Sequence, residues 1–211
     1  ARVAEDLIEA LARPVTIGDI DHTVTASIGI ARPEMDCDST DMLIRRADIA
    51  LYAAKKNGRN GFCWFENGME VELRTRNSLE ADIRAAIPND EFVPYFEQQI
   101  DLATGELAGF EMLARWVSPV RGLIPPDEFI AVAEECGLIV PLGRWALCEA
   151  ARTISEWDKR AGFQLPFRIS VTLSAEQLKR DDLTKSVSDA LNNAGIAGAR
   201  LPLHLPASAP V

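Results

Sequence analysis

Cysteine and histidine are scarce in this 211-residue sequence: four cysteines, at 37, 63, 136 and 148, and two histidines, at 22 and 204. No cysteine pair has CxxC spacing and the histidines do not cluster with them, which argues against a zinc module or a disulfide framework. Reduced thiols in a cytoplasmic protein are the expectation. Long apolar runs are also missing, and nothing approaches the ~20 residues that span a bilayer. The amino terminus lacks a charged-then-apolar leader, so a soluble chain with no membrane segment is expected. Basic residues are outnumbered, with 22 Lys and Arg against 32 Asp and Glu and a net charge of -10. A DNA or RNA partner is thereby excluded, because a polyanion requires clustered cations. A small nucleotide held by local groups and a metal ion is compatible with this balance.

What is present is ordinary globular composition, 47% hydrophobic, arranged in two blocks. Val3, Ala4, Leu7, Ile8 and Leu11 share one face of a helix over 1–12, closed by Pro14. The helix starts without a cap or initiator methionine, which suggests a piece of a longer protein. Val24, Ala26, Ile28 and Ile30 alternate as in a half-buried strand over 23–30. Ser39, Thr40 and Asp41 offer caps to a helix that runs through Lys56, with Leu43, Ala47, Ala50, Leu51 and Ala54 facing inward and Asn57-Gly58 as the stop. A closing strand is expected over 62–65, making helix, strand, helix, strand. Residues 66–87 place Met69, Leu73, Leu79, Ile83 and Ile87 on one apolar seam before Pro88, the pattern of a connecting helix. The same seam could serve a homodimer.

In the second block, strands expected at 91–99, 107–113 and 167–173 alternate with helices at 127–136, 141–161 and 181–193, and a last strand-like run starts at Arg200. Such alternation predicts an α/β fold with a largely parallel sheet. Within it, the run LAGFEMLARW over 107–116 delivers Glu111 and Arg115 near a strand end. A carboxylate and a guanidinium so placed either pair as a surface salt bridge of little energetic weight, or hold a metal ion and a phosphate side by side. The second arrangement is suited to phosphate-ester chemistry.

Around this run the order is specific. YFEQQIDLATG precedes it at 95–105; GLIPP at 122–126, Phe129-Ile130, Ala133-Glu134, Gly137-Leu138-Ile139 and ISVTLS at 169–174 follow. Over residues 88–201 this resembles the EAL family of cyclic di-GMP phosphodiesterases, whose naming tripeptide reads Glu111-Met112-Leu113 here. The resemblance implies a (β/α)8 barrel with a modified opening strand. Such barrels take about 250 residues, so residues 88–211 would form only the N-terminal half. It also implies attack of water on one phosphodiester of cyclic di-GMP, giving linear pGpG. Mg2+ or Mn2+ would activate the water and offset charge on the phosphoryl oxygens.

Carried over residue by residue, Glu111 takes the place of a metal-binding glutamate, and Leu113 and Arg115 those of substrate contacts, with Arg115 reaching a phosphate. Thr172 stands where the family has a metal-binding asparagine, so a shorter hydroxyl replaces an amide carbonyl. Glu97 replaces a substrate-binding glutamine. The family's LELEITES strand reads LPLHLPAS over 201–208, with His204 and Ala207 at positions of glutamates. Pro202 and Pro206 would each remove a ladder donor, which a central barrel strand does not tolerate. The tail reads as a shifted reading frame or a degenerate terminus. The family's later paired aspartates, lysine and glutamate have no counterpart.

A second resemblance covers the first block. TASIGI at 25–30, ADIALY at 47–52, Ala54-Lys55 and Gly58-Arg59-Asn60 are similar to the end of a GGDEF (diguanylate cyclase) domain. In that family the residues matching Lys55 and Arg59 contact nucleotide phosphates, and their four-residue spacing at a helix terminus would put both on one side. As plain structure, they are cations that complement a helix C-terminus. The family's own loop and acidic metal ligands are not in the sequence, so cyclase activity is not expected.

The expected fold is therefore α/β: a C-terminal fragment of an α+β GGDEF domain over 1–65, a connecting helix over 66–87, and the N-terminal half of an EAL-type (β/α)8 barrel over 88–211. The expected function is cyclic di-GMP signalling with hydrolysis lost in this truncated chain. The alternative is a catalytically inactive cyclic di-GMP-binding or protein-interaction module. A third outcome is no stable fold, since half a barrel leaves strand edges and apolar faces uncovered.

Overall fold

Helices with a period near 3.6 and strands with a period of 2 gather into two units, Ala1–Asn77 and Ser78–Val211, each packed mainly on itself. The structure, a computed structural model, describes residues 1–33, 39–180 and 182–205. Cys37, Pro206 and Ala207 lie outside the described residues. No helix among the described residues is long and apolar enough to cross a membrane. Cys63, Cys136 and Cys148 are free thiols.

The first unit begins with α1 (Arg2–Leu11), which buries only Ala4. Val3, Leu7 and Leu11 of its expected inner face are half or more exposed. The reason is the size of its neighbour: α1 packs chiefly on β4 (Gly61–Trp64), a strand of a two-stranded sheet too small to cover a whole helix face. A hairpin not expected from the sequence follows, β1 (Val15–Ile17) and β2 (Ile20–His22), paired antiparallel. Gly18 carries its turn at φ +66, a conformation that costs a glycine little. The strand expected over 23–30 is shorter, β3 (Ser27–Ile30). It pairs in parallel with β4 through the crossover helix α2 (Thr40–Lys56). That helix starts as expected: the Ser39 hydroxyl accepts from the Met42 N–H at 3.2 Å, satisfying one orphan donor of the first turn. Ala50 and Ala54 are buried against the strands.

α3 (Asn67–Ala86) crosses the division between the units. Its last turns belong to the second unit, where Ile83 and Ala86 are fully buried. The second unit's sheet runs β5-β6-β8-β9: β5 (Phe92–Ile100), β6 (Leu107–Ser118), β8 (Arg168–Thr172) and β9 (Leu203–His204), with β7 (Gly122–Ile124) paired to the far end of β6. β5 is antiparallel to β6, whereas β6, β8 and β9 are parallel. The sheet is open over the described residues.

β6 is five residues longer than the sequence suggested, because the β6–β7 hairpin prolongs it: Trp116, Val117 and Ser118 pair with Ile124, Leu123 and Gly122. α4 (Pro126–Cys136) and α5 (Ile139–Ala161) follow. Pro141 sits in the first turn of α5, where its missing N–H costs nothing. The helix expected over 181–193 is α7 (Leu183–Ala194), and a short helix that the sequence did not suggest, α6 (Ala175–Arg180), precedes it. The run from Arg200 opens as a 3-10 turn over Gly198–Arg200 before the short β9. Pro202 does not prevent pairing: its carbonyl accepts from the Val171 N–H at 3.0 Å, and the His204 carbonyl accepts from Leu173 at 2.9 Å. The ladder uses proline's acceptor, and the absent donor is not called upon.

Two apolar clusters hold this unit. One joins Ile83 and Phe92 to Trp116, Phe129 and Leu142; the other joins Met112 to Leu147, Ile154, Ile169, Val171 and Leu201. Buried Trp116 keeps its indole N–H satisfied by donating to Glu91 at 2.9 Å, as a buried ring donor must. Arg200 ties the last turn to α5 through a bidentate pair with Asp158 at 3.1 and 3.2 Å, and also donates to the Phe167 carbonyl at 2.7 Å.

Candidate functional site

Strand side chains alternate between faces, and this alternation sorts the second unit's sheet. Phe96, Phe110, Met112, Ile169 and Val171 belong to the cluster packed on α5. Their strand neighbours Tyr95, Glu97, Glu111, Leu113, Arg115, Ser170 and Thr172 take the opposite face. Four cross-strand contacts bear this out. The Thr172 hydroxyl donates to Glu111 Oε1 at 2.7 Å. Gln99 Nε2 donates to Ser170 Oγ at 3.1 Å, and that hydroxyl donates to the Phe110 carbonyl at 3.3 Å. The Arg115 guanidinium lies 5.5 Å over the Tyr95 ring.

Glu111 and Arg115 do not form the salt bridge that their spacing allowed. Both are interior to β6, and at ~3.3 Å per strand residue their Cα atoms stand about 13 Å apart. Glu111 is held by Thr172 instead; Arg115 donates to the Ala114 carbonyl at 3.1 Å and has no carboxylate partner among the described residues. Glu97 lies directly opposite Glu111 in the β5–β6 register, and directly opposed strand residues are about 5 Å apart at Cβ. Two like charges so placed favour a cation or N–H donors between them.

Does this donor set fit a metal ion? Hard divalent cations take about six oxygen ligands. Among the described residues no group of three or more His, Cys, Asp and Glu side chains could hold a metal ion. Glu111 and Thr172 supply a carboxylate and one hydroxyl, whose hydrogen is donated to the carboxylate, about half the oxygens such an ion takes. His204 pairs with Thr172 across β8 and β9 and is exposed. Ala207, the other position of an expected glutamate, lies outside the described residues. These residues do not make up a two-metal site.

A crevice of about 520 Å3 opens where β6 parts from β8 beyond Met112 and Val171, lined by Glu111, Leu113, Phe129, Ile130, Leu142 and Thr172 among others. Its size is that of a small-molecule site, and it lies at the carboxyl ends of parallel strands, where α/β sheets receive ligands. Gln177 also lines it, fully buried, with Nε2 lacking a partner. Its amide fills the space over Gly143, where a Cβ would come within 2.3 Å. Tyr95 and Gln177 were not singled out from the sequence. Strand alternation from Glu97 points to Tyr95; nothing in the sequence marks Gln177, which sits on a short helix that was not foreseen.

In the first unit, Lys55 occupies the last turn of α2 and Arg59 lies beyond the Asn57 cap in the left-handed region at φ 60. Helical spacing therefore does not relate them, which corrects the expectation that it sets both on one side. Both are exposed.

The fold and its polar sheet face define an α/β domain of the class that takes ligands at the carboxyl ends of its strands. Residues 80–211 match the EAL domain model, and residues 1–61 match that of the diguanylate cyclase GGDEF domain. The chain belongs to the EAL domain family and carries a GGDEF segment ahead of its EAL segment. It is 38% identical over 209 residues to an uncharacterized signaling protein of Caulobacter vibrioides, covering 99% of this chain and 25% of that one. It is 41% identical over 177 residues to the cyclic di-GMP phosphodiesterase PdeR of Escherichia coli, covering 83% and 26%. The chain thus spans about a quarter of the length of these curated relatives. Among solved structures it is similar to the PaMucR phosphodiesterase in complex with c-di-GMP, at 35% identity and TM-score 0.55 over 60% of this chain and 50% of that one.

Proposed function

We propose that this chain is part of a cyclic di-GMP signalling protein and that its second unit binds cyclic di-GMP on the polar face of the sheet. The observation that carries this reading is the row Glu97, Glu111, Leu113, Arg115 and Thr172 on one face beside the crevice, with Arg115 paired to no carboxylate among the described residues. A guanidinium presents a fork of donors that matches two oxygens of a phosphodiester. Leu113 offers apolar contact, and the Glu97 carboxylate accepts N–H donors such as those on a guanine edge. The cyclic di-GMP phosphodiesterase relative and the c-di-GMP complex of PaMucR support this choice of ligand.

In this reading residues 1–65 are the end of a GGDEF domain, with Lys55 and Arg59 as vestigial phosphate contacts. Residues 66–87 connect, and 88–211 form the N-terminal half of a (β/α)8 barrel whose opening strand β5 runs antiparallel. The location is cytoplasmic, and a homodimer is part of the reading, although the α3 seam residues Met69, Leu73, Leu79 and Ile87 are already half-buried and Ile83 is buried within this chain. The family's metal-dependent hydrolysis to pGpG is not assigned to these residues. Glu111 and Thr172 would be the contribution of this chain to a Mg2+ or Mn2+ site, and their three oxygens fall short of one. The reading is therefore a cyclic di-GMP-binding module without turnover. Incubation with Mn2+ and cyclic di-GMP tests it: no pGpG is expected, and clear turnover by the 211-residue chain would restore the enzyme.

A further inference from the structure

Arg115 has five donors and few partners, yet a long side chain carries considerable rotamer entropy. Something must hold it if it is to meet an anion at small entropic cost. Two contacts do so: the Ala114 carbonyl accepts from Nη1 at 3.1 Å, and the Tyr95 ring lies 5.5 Å beneath the guanidinium carbon. Tyr95 is opposite Leu113 in the register, two positions along from the pair of Val93 and Arg115, so ring and cation are diagonal neighbours on the polar face, the geometry in which long side chains of adjacent strands reach one another. Half of Tyr95 is exposed, at 49%, and it belongs to neither apolar cluster. An aromatic ring left on the polar face, away from both cores, is accounted for by the cation above it.

We infer that Tyr95 is a positioning residue: its ring holds the Arg115 guanidinium over the sheet so that the unused donors meet a phosphodiester of the ligand. This rests on the reading that the second unit binds cyclic di-GMP. The ring takes one face of the cation and the Ala114 carbonyl takes one edge, which leaves an edge for two anionic oxygens. The phenolic hydroxyl has no part in this arrangement, so a phenylalanine serves as well. An aliphatic residue of similar bulk does not, because it lacks the negative ring face.

Calorimetric titration of the 211-residue chain with cyclic di-GMP in EDTA tests the inference with Tyr95→Phe, Tyr95→Leu, Arg115→Ala and the double variant Tyr95→Leu/Arg115→Ala. Tyr95→Phe is expected within about twofold of the parent, and Tyr95→Leu about fivefold weaker, the size of a partly exposed cation–π contact. In the Arg115→Ala background, Tyr95→Leu should cost nothing further, since its effect passes through the guanidinium. Equal losses in both backgrounds would show that Tyr95 acts on the ligand or the fold directly and would overturn the inference, as would an unchanged affinity for Tyr95→Leu. A parent chain that does not bind at all overturns the proposed ligand and, with it, this inference. Circular dichroism melting should leave Tyr95→Leu close to the parent, as expected for a half-exposed residue outside both cores.

Discussion

The two faces of the second unit's sheet are made by the same strands and differ only in parity, yet they do different work. On β6, Phe110, Met112, Ala114 and Trp116 enter or adjoin the cores, whereas Glu111, Leu113 and Arg115 stay half-buried on the other side. The tripeptide Glu111-Met112-Leu113 straddles both. Its middle residue is 4% exposed inside the apolar cluster, and its outer two are half-buried on the opposite face, where Glu111 accepts from Thr172. The contrast teaches that a signature motif on a strand mixes two selections, stability at one position and ligand contact at the next.

The contrast breaks most visibly on the core face. Trp116→Ala removes a fully buried ring and should cost about 3–5 kcal/mol of unfolding free energy, read as a lower denaturation midpoint in urea. Met112→Ala should cost about 2–4 kcal/mol by the same mechanism. A loss below about 1 kcal/mol at both positions would contradict the assignment of the even-numbered face to the core.

Acid should reveal a smaller effect, at the edge of that core. The Arg200 guanidinium, and secondarily the Leu165 N–H, hold the Asp158 carboxyl below its ordinary range. A lowered folded value means that the stabilisation is fully present above the unfolded value, about 3.9, and is lost as pH falls through the folded value. Asp158→Asn should therefore melt below the parent at neutral pH and converge with it in strong acid. A gap that stays constant down to strong acid would remove Asp158 from the pH dependence.

The smallest change in stability is expected on the polar face. Glu111→Gln retains shape and keeps an acceptor for the Thr172 hydroxyl, while relieving the like charge of Glu97 opposite. Its midpoint should fall within about 0.5 kcal/mol of the parent. A loss of several kcal/mol would mean that this face is structural after all.

Much of this division was legible in the sequence, because period and capping are local. The α2 cap at Ser39, the strands β5 and β8, and the helices α4 and α5 follow from spacing alone. What was illegible depends on partners distant in the chain. β6 runs to Ser118 only because β7 pairs with its end, and α1 exposes Val3, Leu7 and Leu11 because β4 cannot cover them. Residues Glu97, Glu111, Leu113, Arg115 and Thr172 were readable from family resemblance, and the structure brings them to one face. The bond from Thr172 to Glu111 and the ring under Arg115 were not readable, since each joins strands whose register the sequence does not state.

Binding of cyclic di-GMP by the polar face, as proposed, runs through Arg115 and needs no metal ion. Titration of cyclic di-GMP in EDTA into the parent chain and Arg115→Ala tests it most directly. Loss of a charge-assisted pair to phosphate should weaken binding at least about tenfold with the melting temperature unchanged. Equal affinity of the two proteins, or no binding by the parent, would contradict it.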